Sequence, residues 1–237
     1  MNSTEIAVST VSKSPLEKLQ IQLDKDFTWR KKELTIAKAN IDSSTGEALD
    51  FNLKVATMIL YSHWEGFIKN SSRKYLDFLN KKKYTLSKLK NNFKVLHFTK
   101  NILEIAGTQK KSKYVELYEA FSKEHEDIFF VNSESNHIIN THGNLKYEAL
   151  EEILYSLNFE TTDFQTRDNF INLKLLSVRN KIAHGEYYSY IKHTSAEEKE
   201  EFAKKEFFQL YNEILHLMDI FKDMIIDAAL KESYLAN

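Results

Sequence analysis

Apolar residues recur every three or four positions along most of the chain, the spacing of one buried face of an α-helix. This pattern predicts a first helix up to about Ala39, opened by a capping box between Ser14 and Glu17. After a turn at residues 42–46, a long helix is predicted from Glu47 to Lys82. Further helices are predicted over residues 86–103, 114–126, 147–157 and 194–229.

Two further patterns complete the predicted architecture. The last helix has a broad apolar side from Phe207 to Ile225, which indicates burial in a bundle. Residues 128–144 lack helical spacing and are either a long loop or a short strand pair. Capping boxes are expected at Thr162–Gln165 and at Thr194–Glu197. We therefore predict one all-α helical bundle over residues 15–232, with an irregular insert around 128–146 and a disordered lead at 1–14.

Composition narrows the class of protein. Only five glycines and one proline interrupt the chain, so long helices are allowed. The absence of cysteine excludes disulfides and thiolate metal sites and fits a cytoplasmic protein. No apolar run approaches the roughly 20 residues of a membrane span, and no signal peptide is recognised. The histidines are scattered without metal-ligand spacing, so we expect no metal and no cofactor.

Charge is concentrated in one part of the chain. The net charge is −1, yet the segment from Lys69 to Lys113 holds thirteen basic residues and two acids, about +11. Such a segment fits a surface that faces a polyanion, although a solvated helix pair explains it equally well.

The sequence Arg179-Asn180-Lys181-Ile182-Ala183-His184-Gly185 closes an apolar helix. On a wheel of about 100° per residue, Arg179 falls between two apolar stripes and opposite the exposed lysines. An arginine there needs a partner or an interface, because a lone buried charge costs several kcal/mol. Gly185 supplies the helix end. The two predicted stripes are Ile171, Leu175, Val178 and Ile182, and Leu173, Leu176 and Ala183.

An arginine, an amide and an imidazole at one helix end suit phosphodiester chemistry. Arginine binds phosphate and its developing charge, and histidine moves protons near neutral pH. In RNA the 2′-OH supplies the nucleophile, so this chemistry needs no metal. By itself the Arg-x4-His spacing is common. The structural alternative is an Arg179 paired with Glu65 and a His184 that caps a helix end.

Glu65 lies among large apolar residues of the second helix. It either pairs with Lys69 at i, i+4 or directs its carboxylate at Arg179, since a carboxylate on an apolar face needs a cation.

Three landmarks in order resemble the HEPN superfamily of helical nucleotide-binding domains. Arg179, Asn180 and His184 match its Arg-x4-His motif. Residues 60–68, with His63-Trp64-Glu65, resemble one bacterial subfamily, and residues 143–150 resemble the segment before its motif helix. The resemblance extends over roughly residues 45–230.

The resemblance implies a homodimer whose two motif helices meet, so that two Arg/His pairs form one composite cleft. It also implies a metal-independent ribonuclease, often a toxin or phage-defence effector, with an antitoxin or regulatory protein as partner. His184 would be the general acid and base, Arg179 would stabilise the phosphorane, Asn180 would orient His184 or a phosphate, and Glu65 would hold Arg179. The residues expected to bind RNA are Lys69, Arg73, Lys74, Lys81, Lys82, Lys83 and Lys181.

Two alternatives stay open from the sequence. One is a non-catalytic RNA- or partner-binding dimerisation module. The other is a purely structural interaction protein.

Overall fold

The computed structural model describes residues 13–125, 127–191 and 196–236. The predicted all-α architecture is confirmed, and no strand occurs among these residues. None of the helices found there is long and apolar enough to cross a membrane. The helices are α1 (Pro15–Asp42), α2 (Gly46–Lys82), α3 (Asn91–Ala106), α4 (Lys111–Ser122), α5 (Tyr147–Ser156), α6 (Thr162–Gln165), α7 (Val178–Ala183) and α8 (Ala196–Leu230), with a 3₁₀ turn at Leu86–Lys88 and a π-helix at Phe170–Ser177.

The three long helices α1, α2 and α8 pack against one another and supply most of the core. Leu23 of α1, Trp64 and Phe67 of α2 and Phe221 of α8 are fully buried. Burying each such side chain contributes about 1.5–3 kcal/mol, which anchors α2 between its neighbours. The π-helix and α7 pack on α2, so the predicted motif lies against a helix that the core holds on two sides.

Several predicted boundaries are confirmed and others are wrong. Ser14 and Glu17 form the predicted capping box, and α2 ends at Lys82. Residues 86–88 form a 3₁₀ turn and α3 begins only at Asn91, while α4 begins three residues earlier than predicted. The predicted capping box at Thr162–Gln165 is wrong, because α6 is a separate turn without a side-chain cap. Residues 1–12 of the predicted lead lie outside the described residues. So do residues 194 and 195 of the capping box predicted at Thr194–Glu197.

The helix that carries the motif is not a regular α-helix. Residues 170–177 form a π-helix, whose i→i+5 hydrogen bonds rotate side chains less per residue than a wheel of 100° assumes. Ile171, Leu175 and Leu176 are buried, but Leu173 is 63% exposed and Ala183 is exposed. The predicted second apolar stripe is therefore wrong, and part of it faces outwards.

The irregular insert is a loop that runs antiparallel to α2. Of the two sequence alternatives for this region, the structure shows the loop, with a single bridge from Ile128 to Thr85. Asn80 exchanges two hydrogen bonds with the Val131 backbone, and Asp77 accepts one from Ser133. Two further contacts extend this alignment along α2, from Arg73 to Glu134 and from Tyr61 to Leu145. Between them, Glu65 of α2 faces Arg179, which in turn is hydrogen-bonded to Asn144 of the loop.

Candidate active site

Arg179 is held by three groups that come from three parts of the chain. Its Nη1 donates to Asn144 Oδ1 at 2.8 Å and to Asn180 Oδ1 at 2.7 Å. Its Cζ lies 3.8 Å from the centroid of the Tyr61 ring, a cation–π contact. The side chain is 17% exposed, so it is partly buried rather than enclosed as the wheel predicted. The expectation that Arg179 needs partners is confirmed.

Tyr61 joins the irregular loop to this arginine. Its hydroxyl accepts the Leu145 backbone N–H at 2.7 Å, and its ring supports the guanidinium. Burial raises the pKa of the Tyr61 phenol well above its usual value, and the nearby Glu65 carboxylate raises it further. The phenol is therefore neutral at working pH and keeps its O–H, while its oxygen accepts the Leu145 N–H.

Glu65 lies one turn after Tyr61 on α2 and faces Arg179. This is one of the two contacts expected from the sequence, the other being an ion pair with Lys69. The distance from Glu65 Oε2 to Arg179 Nη2 is 3.9 Å, longer than a charge-assisted hydrogen bond of about 2.7–2.9 Å. No ion pair with Lys69 occurs in the described part of the chain. The two asparagine amides and the tyrosine ring therefore position Arg179, and Glu65 adds a negative charge beside it.

Asn180 also has a different contact from the one expected. Its Oδ1 accepts from Arg179, while only its backbone oxygen contacts His184, as the acceptor of a helical hydrogen bond at 2.9 Å. The Asn180 side chain makes no hydrogen bond to His184 within the described residues, and its role in orienting His184 or a phosphate stays a prediction. The side chain lines an open cavity of about 430 Å³, together with Ser177, Lys146 and Lys181.

His184 is the exposed end of the motif. Gly185 has φ +73°, its N–H donates to the Ile182 carbonyl, and the Glu186 N–H donates to the Lys181 carbonyl. These two bonds form a Schellman motif, so the predicted helix end is confirmed. Among the described residues, the His184 ring has no hydrogen-bond partner, and Arg179 does not fold round to it. The imidazole is available to a substrate or to a second protomer.

The seven residues predicted to bind RNA fall into two groups. Arg73 pairs with Glu134 at 2.6 Å, Lys74 lies 3.3 Å from Asp26, and Lys82 lies 3.1 Å from Glu232. These three cations are largely neutralised within the fold, and Arg73 also fixes the irregular loop. The other four have no ion pair with any described residue, which leaves their charge available: Lys69, Lys81, Lys83 and Lys181.

The remaining landmark residues on α2 face away from Arg179. His63 is 5% exposed and lies between Arg30 and Glu33 of α1, with its Nε2 3.0 Å from a Glu33 oxygen. A side chain at Gly66 would place its Cβ 2.8 Å from Arg30 Nη1, so any larger residue there would displace this guanidinium. One face of α2 thus holds Arg179, and another holds a buried ionic cluster that joins α2 to α1.

Sequence reasoning missed Asn144 and Tyr61. Both lie in the quoted landmark segments, yet neither has a pattern of its own that indicates contact with an arginine. Asn144 is 35 residues before Arg179, and the fold alone brings them together.

Comparison with protein families decides the relationship. The sequence model described as RiboL-PSP-HEPN matches residues 25–227. The chain belongs to the RiboL-PSP-HEPN family. The match covers the His-Trp-Glu segment of α2, the Asn144 loop and the Arg179 motif. No curated protein and no solved structure matches the chain.

Membership of RiboL-PSP-HEPN accords with an RNA-related function. In the described residues, no group of three or more His, Cys, Asp or Glu side chains could hold a metal ion. The chemistry available at the motif is that of a positioned guanidinium, an amide and an exposed imidazole.

Proposed function

We propose that this RiboL-PSP-HEPN protein is a metal-independent endoribonuclease, and a toxin or phage-defence effector. One observation carries the proposal. Along a single short helix, Arg179 is fixed by partners on two other elements, while His184 is exposed and unpartnered. A fixed cation can stabilise the charge on the phosphorane, and a free imidazole can serve as one of the proton-transfer groups of metal-free RNA cleavage.

Arg179 has donors left for a phosphate. Only Nη1 makes hydrogen bonds in the described residues, so the N–H groups of Nη2 and Nε are available from the five that an arginine carries. Because the guanidinium is already oriented, it binds the non-bridging oxygens of a phosphorane without a further ordering cost. Asn180 fixes the guanidinium through its Oδ1, and the residue also lines the cavity where we propose that the strand lies.

The reaction needs a base and an acid. One imidazole removes the proton of the 2′-OH, whose oxygen attacks the adjacent phosphorus, and a second group protonates the departing 5′-oxygen. The products are a 2′,3′-cyclic phosphate and a 5′-hydroxyl. A second copy of His184 in a homodimer supplies the second group, which supports a composite cleft.

The surface beside the motif supports association of two protomers there. Leu173 is 63% exposed and Tyr187 is 84% exposed, on either side of Arg179 in the sequence. A contiguous exposed apolar patch marks an interface, and we propose that these two side chains belong to one between the protomers. The unpaired cations Lys69 and Lys181 would bind the RNA backbone, and an antitoxin or regulatory protein would cover the cleft.

The experiment is cleavage of RNA in EDTA, with analysis of the product ends. We expect cleavage in EDTA, cyclic phosphate ends, and no cleavage at a scissile nucleotide that lacks its 2′-OH. Cleavage of the 2′-deoxy position, or cleavage that stops in EDTA, contradicts this mechanism.

The alternative is a non-catalytic RNA- or partner-binding dimerisation module. The observation that favours it is the lack of contact between His184 and Arg179 within one chain. This alternative predicts salt-sensitive RNA binding that His184→Ala leaves unchanged, with no turnover by either protein.

A further inference from the structure

A groove lies between α3 and the irregular loop, away from the Arg179 motif. Its volume is about 590 Å³, within the range of about 300–1,000 Å³ for ligand sites. Leu96, Leu103, Val131 and Ile138 are its apolar lining, and Phe130, which also lines it, is 64% exposed. An exposed aromatic side chain in a largely apolar groove is a stacking surface for a planar ring.

The polar groups of the groove favour an anion. Lys100 is exposed and has no ion pair in the described region, and the His137 ring has no partner there either. His97 Nδ1 lies 3.0 Å from the Phe130 carbonyl oxygen and 3.2 Å from the Phe130 backbone nitrogen, so this nitrogen is engaged by the loop in either tautomer and Nε2 is left for a ligand. The one acid of the groove, Glu104, lies 3.7 Å from Lys113. A lysine and two imidazoles therefore face the space with little opposing charge.

The groove and the Arg179 site belong to one structural unit. The loop that lines the groove continues to Asn144, and Arg73 fixes it to α2 at Glu134. Arg73 follows Glu65 by eight residues, about 12 Å along α2, and the unpaired Lys69 lies between them. A strand bound at Arg179 can therefore pass Lys69 and reach the groove.

We infer that this groove binds one nucleotide of the RNA strand, a few positions away from the bond at the Arg179 motif. The base stacks on Phe130 over the apolar floor, and Lys100 and His137 bind the adjacent phosphate. This inference depends on the proposed function only in taking RNA as the ligand. It adds a second point of contact that favours single-stranded over paired RNA, because a paired base cannot stack on a side chain.

The test measures binding of a fluorescein-labelled single-stranded RNA by anisotropy, in EDTA and in a His184→Ala background that prevents cleavage. We expect Phe130→Ala to weaken binding about tenfold, the usual effect of losing one aromatic stacking contact. Phe51→Ala is the matched control, since Phe51 is also 64% exposed and lies near the other end of α2. We expect Lys100→Ala to lower the salt dependence of binding relative to Lys32→Ala, an exposed lysine on α1.

A second measurement identifies the source of the nucleotide. Photocrosslinking with 4-thiouridine RNA should label residues 130–138, and AMP should compete only weakly. Equal RNA binding by the Phe130 and Phe51 variants, or labelling confined to the Arg179 region, overturns the inference. So does AMP binding that depends on Phe130 while RNA binding does not, because the ligand is then a free nucleotide.

These outcomes are separable from those of the proposed function. If the wild-type protein cleaves RNA and Phe130→Ala binds as Phe51→Ala does, only the inference fails. If the wild-type protein never cleaves RNA but binding depends on Phe130, the ribonuclease proposal fails and the groove assignment stands.

Discussion

Tyr61 has two roles that two substitutions can separate. Tyr61→Phe retains the ring beneath Arg179 and removes the hydroxyl that accepts the Leu145 N–H at 2.7 Å. Tyr61 and Leu145 are both buried, with exposed fractions of 2% and 0%. An unsatisfied buried N–H costs about 1–3 kcal/mol, so we expect the free energy of unfolding to fall by about 1–2 kcal/mol. Tyr61→Leu also removes the cation–π contact, worth about 0.5–2 kcal/mol more.

Urea unfolding followed by circular dichroism measures the free energy of unfolding of each variant. The rate of RNA cleavage in EDTA measures how well each variant positions Arg179. Because Asn144 directly precedes Leu145, loosening the loop weakens one hydrogen bond to Arg179, and we expect Tyr61→Phe to cleave up to about tenfold more slowly. Tyr61→Leu should be slower still. Tyr118→Phe is the control, since Tyr118 is 73% exposed and its hydroxyl makes no hydrogen bond with described residues. If Tyr61→Phe is as stable as this control, the hydroxyl does not hold the loop; if both Tyr61 variants cleave equally, the ring does not position Arg179.

Two further predictions concern stability. Burial and the Arg30 charge lower the pKa of His63 in the folded protein below its unfolded value of about 6.5. The contribution of neutral His63 to stability is therefore fully present above about pH 6.5. It is lost as the pH falls through the lower folded pKa. The melting temperature should therefore fall between about pH 7.5 and 5.5, and fall less in His63→Gln. Gly185 has φ +73°, where a side chain costs about 1–2 kcal/mol, so Gly185→Ala should lower the free energy of unfolding by about 1 kcal/mol in urea.

Each of these predictions has a control. The His63 measurement is a difference between two proteins, so groups that do not interact with His63 contribute equally to both and cancel; equal pH dependence in both proteins contradicts it. For Gly185, the control is Gly107→Ala, because Gly107 has φ −91° and an added Cβ there meets no atom closer than 3.8 Å. If Gly185→Ala lowers the free energy of unfolding no more than Gly107→Ala does, the left-handed conformation at residue 185 is not required.

The long helices could be read from the sequence because local rules determine them. The Ser14–Glu17 capping box, the apolar face of α8 and the left-handed Gly185 each depend on residues a few positions apart. The need of Arg179 for partners was likewise predictable, since burying a charge alone is costly.

What the sequence could not show depends on contacts between distant elements. The π-helix at residues 170–177 changes the rotation of the motif helix, and no composition signal marks it. The partnership of Arg179 with Asn144 arises from the path of an irregular loop. Charge counting assigned Arg73, Lys74 and Lys82 to RNA, but their acidic partners are far away in the sequence.

The central claim is that His184 and Arg179 cleave RNA together. The most direct measurement is the rate of RNA cleavage in EDTA by His184→Ala, relative to His216→Ala, which removes an exposed and unpartnered histidine of α8. Loss of a general acid or base slows a reaction by about 10²–10⁴-fold, and we expect a ratio in that range with both variants equally folded. Equal rates for the two variants would contradict the claim.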